Sequence, residues 1–100
     1  MIIDINTAEK VPFKVDGRIM FNSEKVQMIH LALMPGEEVE PHTNPFDVVF
    51  YVLEGEGVVS IEGETVIINQ DQTIDIAEGL ARGVKNISDQ ILRLLVVKIF

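Results

Sequence analysis

Apolar and polar positions alternate along most of this chain with the two-residue period of a strand. No stretch sustains the longer period of an amphipathic helix. Residues 2–5 form a short apolar segment that predicts an edge strand. Residues 6–9 read as a polar loop, although Asn6 or Thr7 with Glu9 could also cap a helical turn. Pro12 restricts residues 11–15 to an edge or irregular strand. Asp16-Gly17 predicts a turn, 18–21 a strand and 22–24 a turn. Residues 26–34 predict a long strand that ends at Pro35-Gly36. Residues 47–53 are rich in β-branched and aromatic side chains and predict the next strand. Glu54-Gly55-Glu56-Gly57 breaks it and predicts a hairpin return. Residues 58–62 and 65–69 form a hairpin around Gly63. Residues 73–76 predict a strand with Ile74 and Ile76 on one face and Asp75 on the other. Glu78-Gly79 is a turn, 82–86 a strand, Ser88-Asp89 a turn, and 91–100 a closing strand interrupted by Arg93 and Lys98. The class is all-β in one domain, 1–100. Strand propensity by itself leaves a sandwich and a barrel open.

Parity then sorts the side chains. Val48, Phe50 and Val52 share one face and predict the interior; Val49, Tyr51 and Leu53 share the other. His42 and Asn44, two apart on an extended segment, point the same way. His30, between Ile29 and Leu31, reads as an outer-face or interface residue. Met20, Met28 and Met34 read as core or gap filling.

Composition narrows the class of function. Apolar residues make up 47% of the chain, enough for a core. There is no cysteine, hence no disulfide and no thiolate chemistry. The net charge of −8 disfavours nucleic acid and anionic membranes. The amino terminus lacks a basic stretch followed by an apolar run, and no apolar run spans a bilayer, so a cytoplasmic location is expected. The outward stripe Val49, Tyr51 and Leu53 predicts a homodimer.

Two stretches carry a family resemblance. Gly36, His42 and Gly55 fall where the first cupin motif has its opening Gly, first His and closing Gly. Asn44 and Val48 stand where that motif has its second His and its Glu. The second motif lies over residues 71–86: Gly79 and Asn86 match, and Asp71, Ala77 and Arg82 stand where the family has Gly, Pro and His. The chain thus resembles the cupin superfamily, which implies a small jelly-roll β-barrel. In the family the His and Glu positions hold a divalent metal. Of those ligands only His42 survives here: Val48 has no donor, Arg82 has no lone pair, and Asn44 is a weak oxygen ligand. No metal cofactor is therefore expected. A divalent ion held by His42, with Glu40 as a substitute ligand, is the alternative; Asp47 would need a bulge to turn inward.

The positive reading rests on Arg82. The second motif places it inside the barrel near His42 and Asn44, where a guanidinium offers a fork for a small carboxylate or phosphate. The expected ligand site is His42, Asn44, Val48, Phe50 and Arg82. Three readings remain open. The first is a metal-free cupin that binds a small anionic or polar metabolite. The second is a cupin enzyme of isomerase, epimerase or dioxygenase type, using a metal or a His42/Arg82 acid–base site. The third is a structural or regulatory module whose barrel is filled; for the single residues the alternatives are that Arg82 pairs with Glu40, Asp47 or Glu78 and that His42 is held by a hydrogen bond.

Overall fold

The computed structural model describes residues 1–100 and contains strands but no helix. In chain order the strands are β1 (Glu9–Lys10), β2 (Asp16–Asn22), β3 (Val26–Leu33), β4 (Glu38–His42) and β5 (Asp47–Glu54). They continue as β6 (Glu56–Ile61), β7 (Glu64–Asn69), β8 (Thr73–Ile76), β9 (Arg82–Lys85) and β10 (Leu92–Ile99). One sheet has the order β1-β2-β3-β10-β5-β8 and the other β4-β9-β6-β7, with every pairing antiparallel. This is the jelly-roll architecture expected of the motifs.

The core lies between the sheets and is fed by strand parity. In β5, Val48, Phe50 and Val52 are buried, whereas Val49, Tyr51 and Leu53 are half-buried on the outer face. Leu92, Leu94 and Val96 of β10 repeat the pattern opposite Leu33, Leu31 and Ile29 of β3. Each fully buried Leu, Ile, Val or Phe contributes roughly 1.5–3 kcal/mol. Asn86, which matches the second motif, is fully buried and ties three segments together. Its amide donates to the carbonyls of Leu33 (2.9 Å) and Gln90 (2.7 Å), and its oxygen accepts from Ser88 N–H (3.0 Å) and Oγ (2.8 Å).

Several expectations need correction. Residues 2–5 are not a strand. Asp4 turns the chain there, its carbonyl accepting from the N–H groups of Thr7 (3.0 Å) and Ala8 (2.8 Å), and the edge strand is β1 instead. Residues 11–15 are irregular, as the Pro12 ring requires. Asp16-Gly17 lies inside β2; a Cβ on Gly17 would collide with the Val11 side chain, so close packing and not a turn selects glycine. The stretch 54–57 does not make a hairpin. Gly55 (φ 85°) sits against the Ile91 carbonyl oxygen with no room for a Cβ, and the chain crosses there from β5 in one sheet to β6 in the other. Met34 is exposed and outside the core. His30 does face outward, but its exposure is only 5%, under the side chains of neighbouring strands.

Candidate functional site

At one end of the barrel the two sheets enclose a cavity of about 240 Å³. Apolar side chains from both sheets make its walls: Ile29, Leu31, Phe50 and Val96 from the larger, Val39 and Val84 from the smaller. Phe13 and His42, both exposed, stand at its rim, and Phe13 is held there by the irregular 11–15 segment. Four side chains carry its polarity: His42, Asn44, Arg82 and Lys98.

Arg82 opens β9, where it pairs with His42 of β4 on one side and Ile61 of β6 on the other. Its exposure is 3%. With the Asn44 amide turned so that both its ends are satisfied, its oxygen accepts from Arg82 Nη2 and its nitrogen donates to the Thr43 carbonyl (3.0 Å). Nη1 is buried without a partner. None of the expected acidic partners reaches the guanidinium. The ion pairs of the chain are Arg18–Asp16 (2.9 Å) and Arg93–Glu54 (3.2 Å). Asp47 instead accepts from the Glu78 N–H (2.9 Å), and Glu40 is exposed beside the irregular register of β4 and β9. Internal pairing of Arg82 with Glu40, Asp47 or Glu78 is therefore absent. Burial pulls the Arg82 guanidinium below its ordinary value, yet a guanidinium keeps its charge in a protein.

Lys98 was not among the expected site residues. It read as an interruption of the last strand, but it continues the inward parity of Leu92, Leu94 and Val96 and enters the same cavity. That parity was the signal that could have found it. Its ammonium lies 5.8 Å from the centroid of the Phe46 ring, which stacks edge-on against Phe100 (5.0 Å, 82°). Burial, and then the charge of Arg82, hold Lys98 below the usual lysine value. No carboxylate pairs with it.

His42 Nδ1 donates to the Glu40 carbonyl (3.0 Å), which leaves Nε2 free. Of the expected site, His42, Asn44, Phe50 and Arg82 converge on the cavity; Val48 is buried in the core and is not part of the wall. The donor set does not fit a divalent metal. No three His, Asp or Glu side chains converge anywhere in the chain, and two cations share the cavity with the single imidazole.

Comparison with known proteins bears on the family and the fold. The cupin domain family matches residues 29–98. Residues of this chain are 36% identical, over 58 positions, to the tetracenomycin polyketide synthase protein TcmJ of Streptomyces glaucescens; the match covers 57% of this chain and 39% of that protein. The matched stretches span 39% and 44% of the length of the two curated relatives. A crystal structure from Thermus thermophilus superposes with a TM-score of 0.84 at 31% identity, over 99% of this chain and 97% of that one. A predicted oxalate decarboxylase from Thermotoga maritima superposes with a TM-score of 0.87 at 22% identity, over 100% and 99%, and shares the fold. With the motifs, the jelly roll and a family match over most of its length, this chain belongs to the cupin superfamily as a small cupin domain.

Proposed function

We propose that this cupin domain works without a metal and binds a small organic anion in the barrel, with Arg82 as the anchoring cation. The observation that carries this reading is the buried guanidinium whose Nη1 lacks a partner while it borders an open cavity. A buried charge without a counter-ion is costly, and no carboxylate of the chain pairs with this one. A carboxylate or phosphate oxygen would supply the missing acceptor. His42 Nε2 at the rim and the Asn44 amide offer further hydrogen bonds. The protein acts in this reading as a cytoplasmic homodimer.

A thermal-shift screen of organic acids and sugar phosphates tests the proposal. At about a hundred times its dissociation constant a ligand adds roughly 2.7 kcal/mol of stability. Hits in the wild type should vanish in Arg82→Met. Equal shifts in the variant would place binding elsewhere. Near one equivalent of transition metal per chain, retained on dialysis and lost in His42→Ala, would overturn the metal-free part.

A second reading follows from the neighbourhood of His42 and from likeness to a polyketide synthase protein. A rim imidazole beside two cations can move a proton on a carbonyl substrate while Arg82 and Lys98 stabilise an enolate. Hydrogen–deuterium exchange at the carbon next to a ketone, catalysed by the wild type and lost in His42→Ala, would support it.

A further inference from the structure

The cavity holds more than the one cation that the anion-binding reading needs, and its walls restrict what the anion can be attached to. Arg82 comes from the smaller sheet and Lys98 from the larger. Both border the same space, and neither has an acidic partner. Around them the wall is hydrocarbon: Ile29, Leu31, Phe50, Val84 and Val96 offer no side-chain donor or acceptor. We propose that the cavity is a two-cation site for a monocarboxylate with a compact apolar body of about one ring, its carboxylate bridging Arg82 and Lys98 across the sheets. The inference rests on the anion-binding reading and narrows its ligand.

Three observations select this class. First, the polar groups suit a head with two oxygens. Asn44 occupies Nη2 of Arg82 and Nη1 has no acceptor, so the proposed head gives one oxygen to the guanidinium and the other to the Lys98 ammonium. Second, the walls reject a hydroxylated body. The hydroxyls of a sugar phosphate would face five apolar side chains and lose their water without a substitute. Third, the size agrees. An engineered apolar cavity of about 150 Å³ accepts benzene. This cavity, at about 240 Å³, adds room for a carboxylate. The two cations also repel each other, and the charge of Arg82 is among the causes that hold Lys98 down. A bridging carboxylate offsets that repulsion.

The test is titration calorimetry on the full chain with benzoate, acetate, benzamide and inorganic phosphate, in the wild type, Arg82→Met, Lys98→Met and Lys98→Arg. Benzoate should bind. Acetate, with the same head and almost no body, should bind at least about tenfold more weakly. Benzamide, with the body and no charge, and phosphate, with the charge and no body, should be weaker again. Lys98→Met should weaken benzoate by about tenfold or more, and Lys98→Arg should restore part of the loss. Circular dichroism of each variant shows that its fold is kept. Phosphate or acetate binding as tightly as benzoate would overturn the apolar body while the Arg82 anion site stands. Benzoate binding equally well in Lys98→Met would overturn the bridge. If no probe is bound and the organic-acid screen is also blank, the anion-binding reading falls and takes this one with it.

Discussion

A residue that motif spacing places inside a barrel is an expectation about position, and its chemistry depends on what surrounds it. Arg82 was legible in this way: the second motif puts residue 82 on an inward strand, and there it lies. Its lack of an acidic partner was not legible, because Glu40, Asp47 and Glu78 are close in the strand plan and only side-chain directions separate them from it. Lys98 was missed because a charge at the end of an apolar run reads as an ending, whereas parity continues it inward. Arg82→Met should make the ligand-free protein more stable by about 1–3 kcal/mol, since it removes a buried donor with no acceptor; urea denaturation that shows a loss of that size would mean the guanidinium is satisfied in solution. His30 gives a prediction in pH. Burial, then the charge of Arg93, hold its imidazole below the ordinary value; Asp16 pulls the other way, and Arg18 adds a smaller push downward. Its Nε2 accepts from Arg93 Nε (3.1 Å), and its Nδ1 is buried without a partner. The unfolded chain therefore takes up this proton first as pH falls. Stability should drop as pH falls through the ordinary histidine range towards the depressed native value. Between about pH 7 and pH 5 the urea midpoint should fall more in the wild type than in His30→Leu; parallel slopes would show that His30 does not titrate in this way.

At the scale of the elements, apolar alternation made β3, β5, β6, β7, β8 and β10 readable, and Gly or Pro marked most of their ends. What alternation does not encode is the sheet a strand joins. The 54–57 stretch has the composition of a hairpin, yet Gly55 lets the chain cross to the other sheet, because its backbone rests on the Ile91 carbonyl. Residues 2–5 had apolar character without a partner strand, so their backbone bonds close a local turn. The site rests on similar close approaches. A Cβ at Gly83 would stand 2.7 Å from the Val39 carbonyl oxygen and 2.9 Å from the Pro41 nitrogen, both backbone atoms. Gly83→Ala should push β4 away from β9, cost about 1–3 kcal/mol and weaken ligand binding beside Arg82; a variant that melts and binds like the wild type would show that β4 yields freely. Asn86→Ala takes the amide partner from the Ser88 N–H and the Leu33 carbonyl, while the Ser88 hydroxyl still donates to the Gln90 carbonyl (3.0 Å). A loss of about 3 kcal/mol is expected by chemical denaturation, and a loss below about 1 kcal/mol would mean that water replaces the amide.

For the whole molecule, the net charge of −8 surrounds a cavity whose ionisable groups are two cations and one imidazole, so the far field and the site field have opposite signs. No helix is long and apolar enough to cross a membrane. The outer stripe Val49, Tyr51 and Leu53 is half-buried within one chain, with Tyr51 donating to Asp71 (3.0 Å), and a homodimer through this sheet is the expected assembly. Sedimentation equilibrium at micromolar concentration should give the dimer mass, and Tyr51→Glu should shift it to the monomer; a wild-type monomer would refute the assembly. One feature of the sheet order also governs how the chain reaches its fold. β10 is the last strand in the chain, yet it lies in the middle of the larger sheet, between β3 and β5. While synthesis proceeds from the amino end, those two strands have nothing to join them, and each offers a bare edge to any other chain nearby. The smaller sheet is complete in sequence before β10, but the larger one cannot be joined until β10 is made. Residues 92–99 must pair with two strands far earlier in the sequence, and the edges of β3 and β5 stay bare for as long as that pairing is delayed.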